Sequence, residues 1–343
     1  MNTSRTPLCI LVAVFIISAS ALVAESGAMH VDEIGKSERI ARFAPLFPRA
    51  LSMSVAAELS DIKAASFVSV PTEEESREWD RSSPRLQSVF LNNDVFALYG
   101  KPSSRVMGIL GQYPLSEIEP VMNRFVTMYD TANGSRGVVP SFNIIYGPCW
   151  PEGESGILSD SVVRQYIEYA RARGWYVFLD HQIGKYTVES AMNRLLPWLA
   201  YPNVQLALDP EWRTTKPMQE IGYVTADEIN TAQRMMQDYM VERGIPGRRM
   251  LVVHQFKPRM ISNRETVRSD FPLVQLIHCA DGFGSPTLKK STYALNAEAK
   301  NIPIKSFKLF LKPMIAGAGF DEPIMSPEDV FKLNPRPYLI MYQ

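Results

Sequence analysis

The chain has 343 residues, 46% of them hydrophobic and 10% aromatic, which is enough apolar material for a sizeable core. Its 36 basic and 36 acidic residues cancel to a net charge of zero, so there is no bulk electrostatic case for binding nucleic acid or an anionic membrane surface. Any functional site must therefore be a local arrangement of side chains.

The N-terminus has the pattern of a secretory signal. Arg5 precedes an apolar run from Leu8 to Ala24, and Ala19-Ser20-Ala21 provides a small-residue cleavage site, with Ala24 and Ala28 as later alternatives. We therefore expect residues 1–24 to be a signal peptide and the protein to be exported to the periplasm, the cell envelope or the outside of the cell. If the segment stays uncleaved, it is the one expected membrane contact, because it approaches the roughly 17 residues that span a bilayer.

Residues 25–85 are interpreted as an N-terminal extension and linker. The stretch from Pro71 to Pro84 is polar and has few apolar residues, which is typical of an exposed loop. The main domain is expected to comprise residues 86–343. Two cysteines follow the signal segment, Cys149 and Cys279, and the sequence leaves open whether they pair in an oxidising compartment.

Short apolar, β-branched and aromatic runs then alternate with helical patterns. Apolar residues recur at helical spacing from Leu115 to Tyr129, from Val162 to Ala170 and from Val188 to Leu199, and a capping box at Thr225 opens a fourth pattern that ends at Gly244. The predicted strands are Val95 to Tyr99, Val138 to Tyr146, Trp175 to Asp180, Val204 to Asp209, Met250 to Phe256, Leu273 to Cys279, Ser306 to Leu311 and Tyr338 to Tyr342.

This alternation predicts an α/β fold, a (β/α)8 TIM-type barrel. Strands that alternate with helices form parallel sheets, and eight such units close most simply into a barrel. A doubly wound open sheet is the alternative. It is disfavoured because no G-x-G-x-x-G follows the first strand and the chain has no Walker motif.

Polar and aromatic residues collect where the predicted strands end, which is where barrels of this kind carry their active sites. Each of them also has a structural interpretation, since aspartates at turns commonly bond the backbone and aromatic rings commonly pack. The groups in question are Tyr146 and Trp150 at the end of the second strand, Asp180-His181-Gln182 at the end of the third, Asp209-Pro210-Glu211-Trp212 at the end of the fourth, His254-Gln255-Phe256 at the end of the fifth and His278-Cys279-Ala280-Asp281 at the end of the sixth.

The most specific of these signals is the pair of carboxylates either side of Pro210. In an extended strand Asp209 and Glu211 point the same way with Cα atoms about 6.6 Å apart. Two neighbouring carboxylates in a partly apolar pocket are pushed apart in pKa, and glycoside hydrolysis needs such a pair. We predict Glu211 as the acid/base, with Asp209, Asp180 or Asp281 as the ionised partner.

The catalytic set is thus Glu211, Asp209 and Asp180, and the expected substrate is a carbohydrate of the cell envelope or the extracellular space. No cofactor and no metal are expected. Aromatic residues at the rim suit stacking against sugar faces. The residues predicted to bind substrate are His254, Gln255, Asp281, Gln182, Trp212, Tyr146 and Trp150.

Two alternatives remain open at this point. In a metal-dependent hydrolase, Asp180, Asp209, His254 and His278 would bind a divalent ion, because histidine and carboxylate side chains at converging strand ends make a suitable ligand set. Neither H-x-H nor H-E-x-x-H occurs to support that reading. Alternatively, the barrel is a non-catalytic module that binds glycans.

The runs YGKPSSRVMGILG, FLDHQIG, LALDPEW, VVHQF and DGFG follow one another in this order. With them the chain resembles a family of uncharacterised exported bacterial proteins and lipoproteins, from about Phe96 to the C-terminus. This resemblance implies no established activity.

The Asp-x-Glu pair is also similar to that of the lysozyme-type muramidases of glycoside hydrolase family twenty-five. By this local similarity, Asp209 and Glu211 would be the catalytic positions. Those enzymes carry a further aspartate at the mouth of strand one. Here that strand ends in Tyr99-Gly100, and its acid, Asp94, lies at the opposite end.

Overall fold

The computed structural model describes residues 88–315 and 317–343. Eight parallel strands form a closed barrel in which each strand pairs with the next along the chain and the last pairs with the first. The (β/α)8 prediction is confirmed, including all the predicted strands. They are β1 (Asn93–Gly100), β2 (Gly137–Gly147), β3 (Tyr176–His181), β4 (Val204–Leu208), β5 (Arg249–Gln255), β6 (Val274–Ala280), β7 (Ile304–Leu309) and β8 (Leu339–Tyr342).

The predicted signal peptide, the extension and the domain boundary near residue 86 lie outside the described residues and stay predictions. Within the described ranges, no helix is long and apolar enough to cross a membrane.

Six α-helices lie between the strands of the described chain. The first four match the predicted patterns, whereas the last two begin with a serine cap followed by proline, at Ser285 and Ser326. The helices are α1 (Leu115–Ala132), α2 (Asp160–Arg171), α3 (Val188–Leu195), α4 (Ala226–Glu242), α5 (Pro286–Glu298) and α6 (Pro327–Phe331).

Alternate residues of each strand face the barrel interior or the helices, because side chains of a strand alternate between its faces. On β1, Val95 and Ala97 belong to the interior cluster, whereas Phe96 and Leu98 pack in the layer between strands and helices. Both clusters are buried, so the barrel has an apolar middle that separates its two ends. The polar residues described next lie at those ends.

At the N-terminal end of the barrel, Asp94 links three parts of the chain. Its fully buried carboxylate accepts two hydrogen bonds from Arg336, at 2.6 and 2.7 Å, and one from Arg136 Nε at 3.1 Å. Arg136 precedes β2 and Arg336 precedes β8, the two strands that flank β1. This cluster therefore ties together the strands at which the barrel closes.

We expect Asp94→Ala to lower the free energy of unfolding by about 3 kcal/mol, because breaking a buried ion pair from one side costs about 3–5 kcal/mol. The lower limit applies since the side chains of Arg136 and Arg336 are 22% and 26% exposed. Urea unfolding measures the loss. The control is Asp270→Ala, which breaks an exposed pair with Arg268 and should leave the midpoint unchanged. Equal midpoints for both variants would contradict this role of Asp94.

Candidate active site

Five buried side chains form a closed circuit across the C-terminal end of the barrel, called the polar ring here: Tyr99, Asp180, His254, Asp281 and Lys308. The Tyr99 hydroxyl donates to Asp180 Oδ2 at 3.0 Å. His254 lies between the two aspartates, with Nε2 at 3.2 Å from Asp180 Oδ2 and Nδ1 at 2.9 Å from Asp281 Oδ2. Lys308 Nζ donates to Asp281 Oδ2 at 3.1 Å and lies 3.8 Å from the centre of the Tyr99 ring, which closes the circuit.

Strand parity explains why these residues meet. Tyr99, Asp180, His254 and Lys308 come from β1, β3, β5 and β7, and in barrels of this type alternate strands contribute the four side chains of one interior layer. Asp281 follows the end of β6 and lies against this layer. The uppermost interior layer is thus charged, whereas the interior cluster beneath it is made mostly of apolar residues, with Ser141 and Asn143 of β2 among them.

The polar ring is charged despite its burial. Burial alone would raise the pKa of Asp281, but Lys308 and His254 hold it far below its ordinary value. Burial would lower the pKa of His254, yet the neighbouring acids Cys279, Asp180 and Asp281 raise it well above the ordinary range. Burial likewise opposes the charge on Lys308, whose pKa is nevertheless raised by Asp281, Asp209 and Asp180. Carboxylates and cations therefore stabilise each other in this layer.

The carboxylate pair lies at the same end, in a geometry that differs from the sequence prediction. β4 ends at Leu208, and Asp209 caps a turn of 3-10 helix, Pro210–Trp212, by accepting the Glu211 N–H at 3.3 Å. The prediction that both residues lie on one face of an extended strand is wrong. Pro210 ends the ladder, and the Asp209 side chain bonds the backbone in the way that favours a turn.

Burial is the main influence on both carboxyl groups. It raises the pKa of Asp209 to about 7, with Asp180 and Asp281 adding to the shift and His254 and Lys308 opposing it. The pKa of Glu211 is raised to about 8, by burial and then by the charge of Asp209. Asp209 is buried and Glu211 half-buried. At neutral pH, Glu211 therefore holds a proton at a position that solvent reaches.

The turn that carries Glu211 is fixed from outside. Gly222 donates its N–H to the Glu211 carbonyl at 2.6 Å, and a Cβ at Gly222 would come within 2.6 Å of the Pro210 carbonyl oxygen. Arg213 donates to Glu228 at 2.7 Å, and Glu228 belongs to the capping box that begins α4. The start of a helix thus holds the turn in place.

The structure brings some of the predicted residues together and places others elsewhere. Asp180, His254 and Asp281 belong to the polar ring, and Asp209 and Glu211 interact with it electrostatically. Gln255 lies on the opposite face of β5 from His254, where its Oε1 accepts from Arg264 at 3.1 Å and lies 2.8 Å from His278 Nε2.

The remaining predicted binding residues lie outside the polar ring. Gln182 accepts the N–H of Cys149 at 2.8 Å, and the Tyr146 hydroxyl is directed at the carbonyl of Arg194. Trp212 is half-buried in the turn after β4, and Trp150 is exposed on the loop after β2. Substrate binding by Gln255, Gln182, Tyr146, Trp212 and Trp150 stays a prediction.

Tyr99 and Lys308 are the two members of the polar ring that the sequence analysis missed. Tyr99 occupies the last position of a predicted apolar strand, where the sequence pattern indicates a core residue that only packs against its neighbours. Lys308 lies inside the predicted strand from Ser306 to Leu311, where a single lysine resembles a solvated residue. The available signal was that a charged residue in a barrel strand buried on both faces requires a partner.

The ligand set of the metal-dependent alternative does not converge. His278 lies on the outer face of β6, 2.8 Å from Gln255, and His254 is held between two aspartates. In the part of the chain that the structure describes, no group of three or more His, Cys, Asp or Glu side chains is arranged to hold a metal ion. Cys149 and Cys279 are both buried and free, so the disulfide that the sequence left open is not formed.

No family model matches this chain, and no curated protein matches it. Among solved structures, a Group IV chitinase from Ostrinia furnacalis is similar, with a TM-score of 0.39, 9% identity and coverage of 64% of this chain and 66% of that one. An endo-β-1,4-glucanase from Xanthomonas axonopodis pv. citri has a TM-score of 0.41 and 12% identity, with 73% and 87% covered. The local similarity to family-twenty-five lysozymes has no counterpart among them, and these values carry no assignment of activity.

A double-mutant cycle tests the charge balance of the polar ring. Lys308→Met leaves the Asp281 carboxylate buried with His254 alone, so we expect a loss of about 3–5 kcal/mol in the free energy of unfolding. Adding Asp281→Asn removes the stranded charge, so the double variant should lose less than the sum of the two single losses, by about 0.5–3 kcal/mol. Urea unfolding of the four proteins measures this coupling.

The control for that cycle is Lys312→Met, which removes an exposed lysine four positions further along the chain and should leave stability unchanged. Strictly additive losses in the cycle would show that Lys308 and Asp281 do not depend on each other.

Proposed function

We propose that this chain is an exported glycoside hydrolase that acts on a glycan of the cell envelope or the extracellular space. The observation that carries the proposal is Glu211. Its pKa is raised to about 8, it is half-buried at the open end of the barrel, and Asp209 lies two residues before it. Export is inferred from the N-terminal sequence pattern alone.

Glu211 has the properties of the general acid. A glycosidic oxygen leaves as a poor group unless it is protonated, and an acid works best when its pKa lies near the operating pH. A carboxyl group that keeps its proton at neutral pH and is reached by solvent meets both needs. The tether from Gly222 to the Glu211 carbonyl supports this role because it limits movement of the turn.

Asp209 is the preferred ionised partner. With a pKa of about 7 it loses its proton before Glu211 does, so the pair passes through a state with one acid and one carboxylate. Asp180 is fully buried and bonded to Tyr99, so it acts through its charge rather than by touching the sugar. A fixed negative charge of this kind stabilises the positive charge that develops on the sugar ring.

Since Asp209 must be ionised and Glu211 protonated, we expect kcat/KM to rise as the pH passes about 7 and to fall above about 8. The bell-shaped profile is measured on whichever soluble glycan the parent protein cleaves in a screen of β-linked and α-linked polymers. A rate that is constant from pH 5 to 9 would contradict the assignment of this pair.

Glu211→Gln keeps the shape of the side chain and removes its proton, so it should reduce the rate about 100-fold or more. Asp209→Asn should also reduce the rate. Because the Asp209 charge helps to raise the pKa of Glu211, this variant should move the alkaline limb of the pH profile to lower pH.

Glu220→Gln is the matched control, because Glu220 lies on the same loop, is exposed and pairs with Lys216. Its rate and pH profile should equal those of the parent. The melting temperature of every variant is also measured. If the carboxylate pair were purely structural, the substitutions would lower the melting temperature without altering the rate of the folded protein. Full activity in Glu211→Gln would remove Glu211 from the mechanism.

A further inference from the structure

Trp150 is an exposed aromatic residue that its own loop holds in place. The residue is 42% exposed on the loop after β2, and its indole nitrogen lies against Gly156, where an added Cβ would overlap it. The backbone N–H of Trp150 donates to the Glu154 carbonyl at 2.7 Å, and the backbone N–H of Lys185 donates to the Gly153 carbonyl at 2.9 Å. One side of the indole is therefore supported by backbone while the rest stays open to solvent.

Phe283 is held in the same manner on the loop after β6. It is 52% exposed and lies between Gly282 and Gly284, whose φ angles of 111° and 143° side chains rarely adopt. Gly284 N–H donates to Asp321 at 2.9 Å. The ring meets Phe310 edge-on at 5.9 Å, and an added Cβ at Gly319 would overlap it.

The strand order fixes where these two rings lie. In a closed barrel of eight strands paired in chain order, β2 and β6 are four strands apart in either direction, so their loops are on opposite sides of the open end. Glu211 follows β4, two strands from each. The proposed acid thus lies midway around the rim of the barrel between Trp150 and Phe283.

We propose that the open end of the barrel binds an extended β-1,4-linked glycan along the line from β2 to β6, and that cleavage is internal to the chain. Trp150 and Phe283 stack on sugar units on opposite sides of the bond that Glu211 protonates. The inference rests on the proposed function. Sugar faces are apolar and suit aromatic rings, and equatorial 1,4-linkages keep a chain straight enough to reach both. A pocket for a single terminal sugar would not need supported rings on both sides.

Binding is tested first, on full-length protein in the Glu211→Gln background so that the polymer survives. The probes are hydroxyethyl cellulose and glycol chitin, with dextran as an α-linked comparison, in affinity electrophoresis. We expect Trp150→Ala and Phe283→Ala each to weaken binding of one β-linked polymer about tenfold. Trp150→Phe and Phe283→Tyr, which keep a ring, should restore most of it.

The matched control is Leu91→Ala, because Leu91 is 58% exposed beside the start of β1, at the other end of the barrel. Its binding should equal that of the Glu211→Gln background, and dextran should not bind. The inference would be overturned if neither β-linked polymer bound, or if the Trp150→Ala and Phe283→Ala variants bound as tightly as the Glu211→Gln background.

The cleavage pattern is tested with the parent protein. Cutting inside the chain lowers the viscosity of the polymer while few reducing ends have formed, and the first products are long. Immediate release of mono- or disaccharides alone would overturn internal cleavage. If the polymer binds through both rings but the parent protein does not cleave it, the inference about binding stands and the proposed hydrolase function is refuted.

Discussion

The ion pairs that Asp281 makes with His254 and Lys308 are the interaction on which the open end of the barrel depends. Both cations are buried, and without a carboxylate each would face a large desolvation cost. His254 is further shared with Asp180. The positive charges of His254 and Lys308 are therefore already paired with carboxylates of the polar ring. His254 and Lys308 lower the pKa values of Asp209 and Glu211, but by less than burial raises them. Both carboxyl groups therefore keep their protons to unusually high pH.

The two ends of the barrel solve the problem of buried charge in different ways. At the N-terminal end, Asp94 meets two partly exposed guanidinium groups that bring several donors each, so the cluster is satisfied. At the C-terminal end, His254 is shared by Asp180 and Asp281, and Asp180 Oδ1 has no hydrogen-bond partner within the described protein. Guanidinium groups therefore pair the buried carboxylate at one end, whereas one carboxylate oxygen at the other end is left without a partner.

The fold could be predicted from the sequence because each strand is a short apolar run and each of the first four helices shows a regular apolar stripe. α5 shows no such stripe, since the face it buries carries Lys289, Tyr293 and Asn296. Lys289 is accommodated by an ion pair with Asp321 and by donating to the Gly282 carbonyl, contacts that a pattern of apolar residues does not reveal.

The site was less predictable, for two physical reasons. Neighbouring residues at a strand end face opposite ways, so His254 and Gln255 could not both reach the interior although the sequence groups them. The contact of Lys308 with Tyr99 joins β7 and β1, which lie close in the closed barrel but far apart in the chain, and local spacing carries no information about it. The carboxylate pair was found because its two members are close in the chain.

The closure of the barrel by its last strand also fixes where Gln343 lies. β8 runs parallel to the other strands, and Gln343 is bonded to Leu309 and Leu311 at the end of the barrel that carries the carboxylates. Any peptide joined after Gln343, such as an affinity tag or a fused reporter, starts beside the candidate site and competes with large ligands for the same space. Immobilisation through a group attached at Gln343 would orient the opening towards the support.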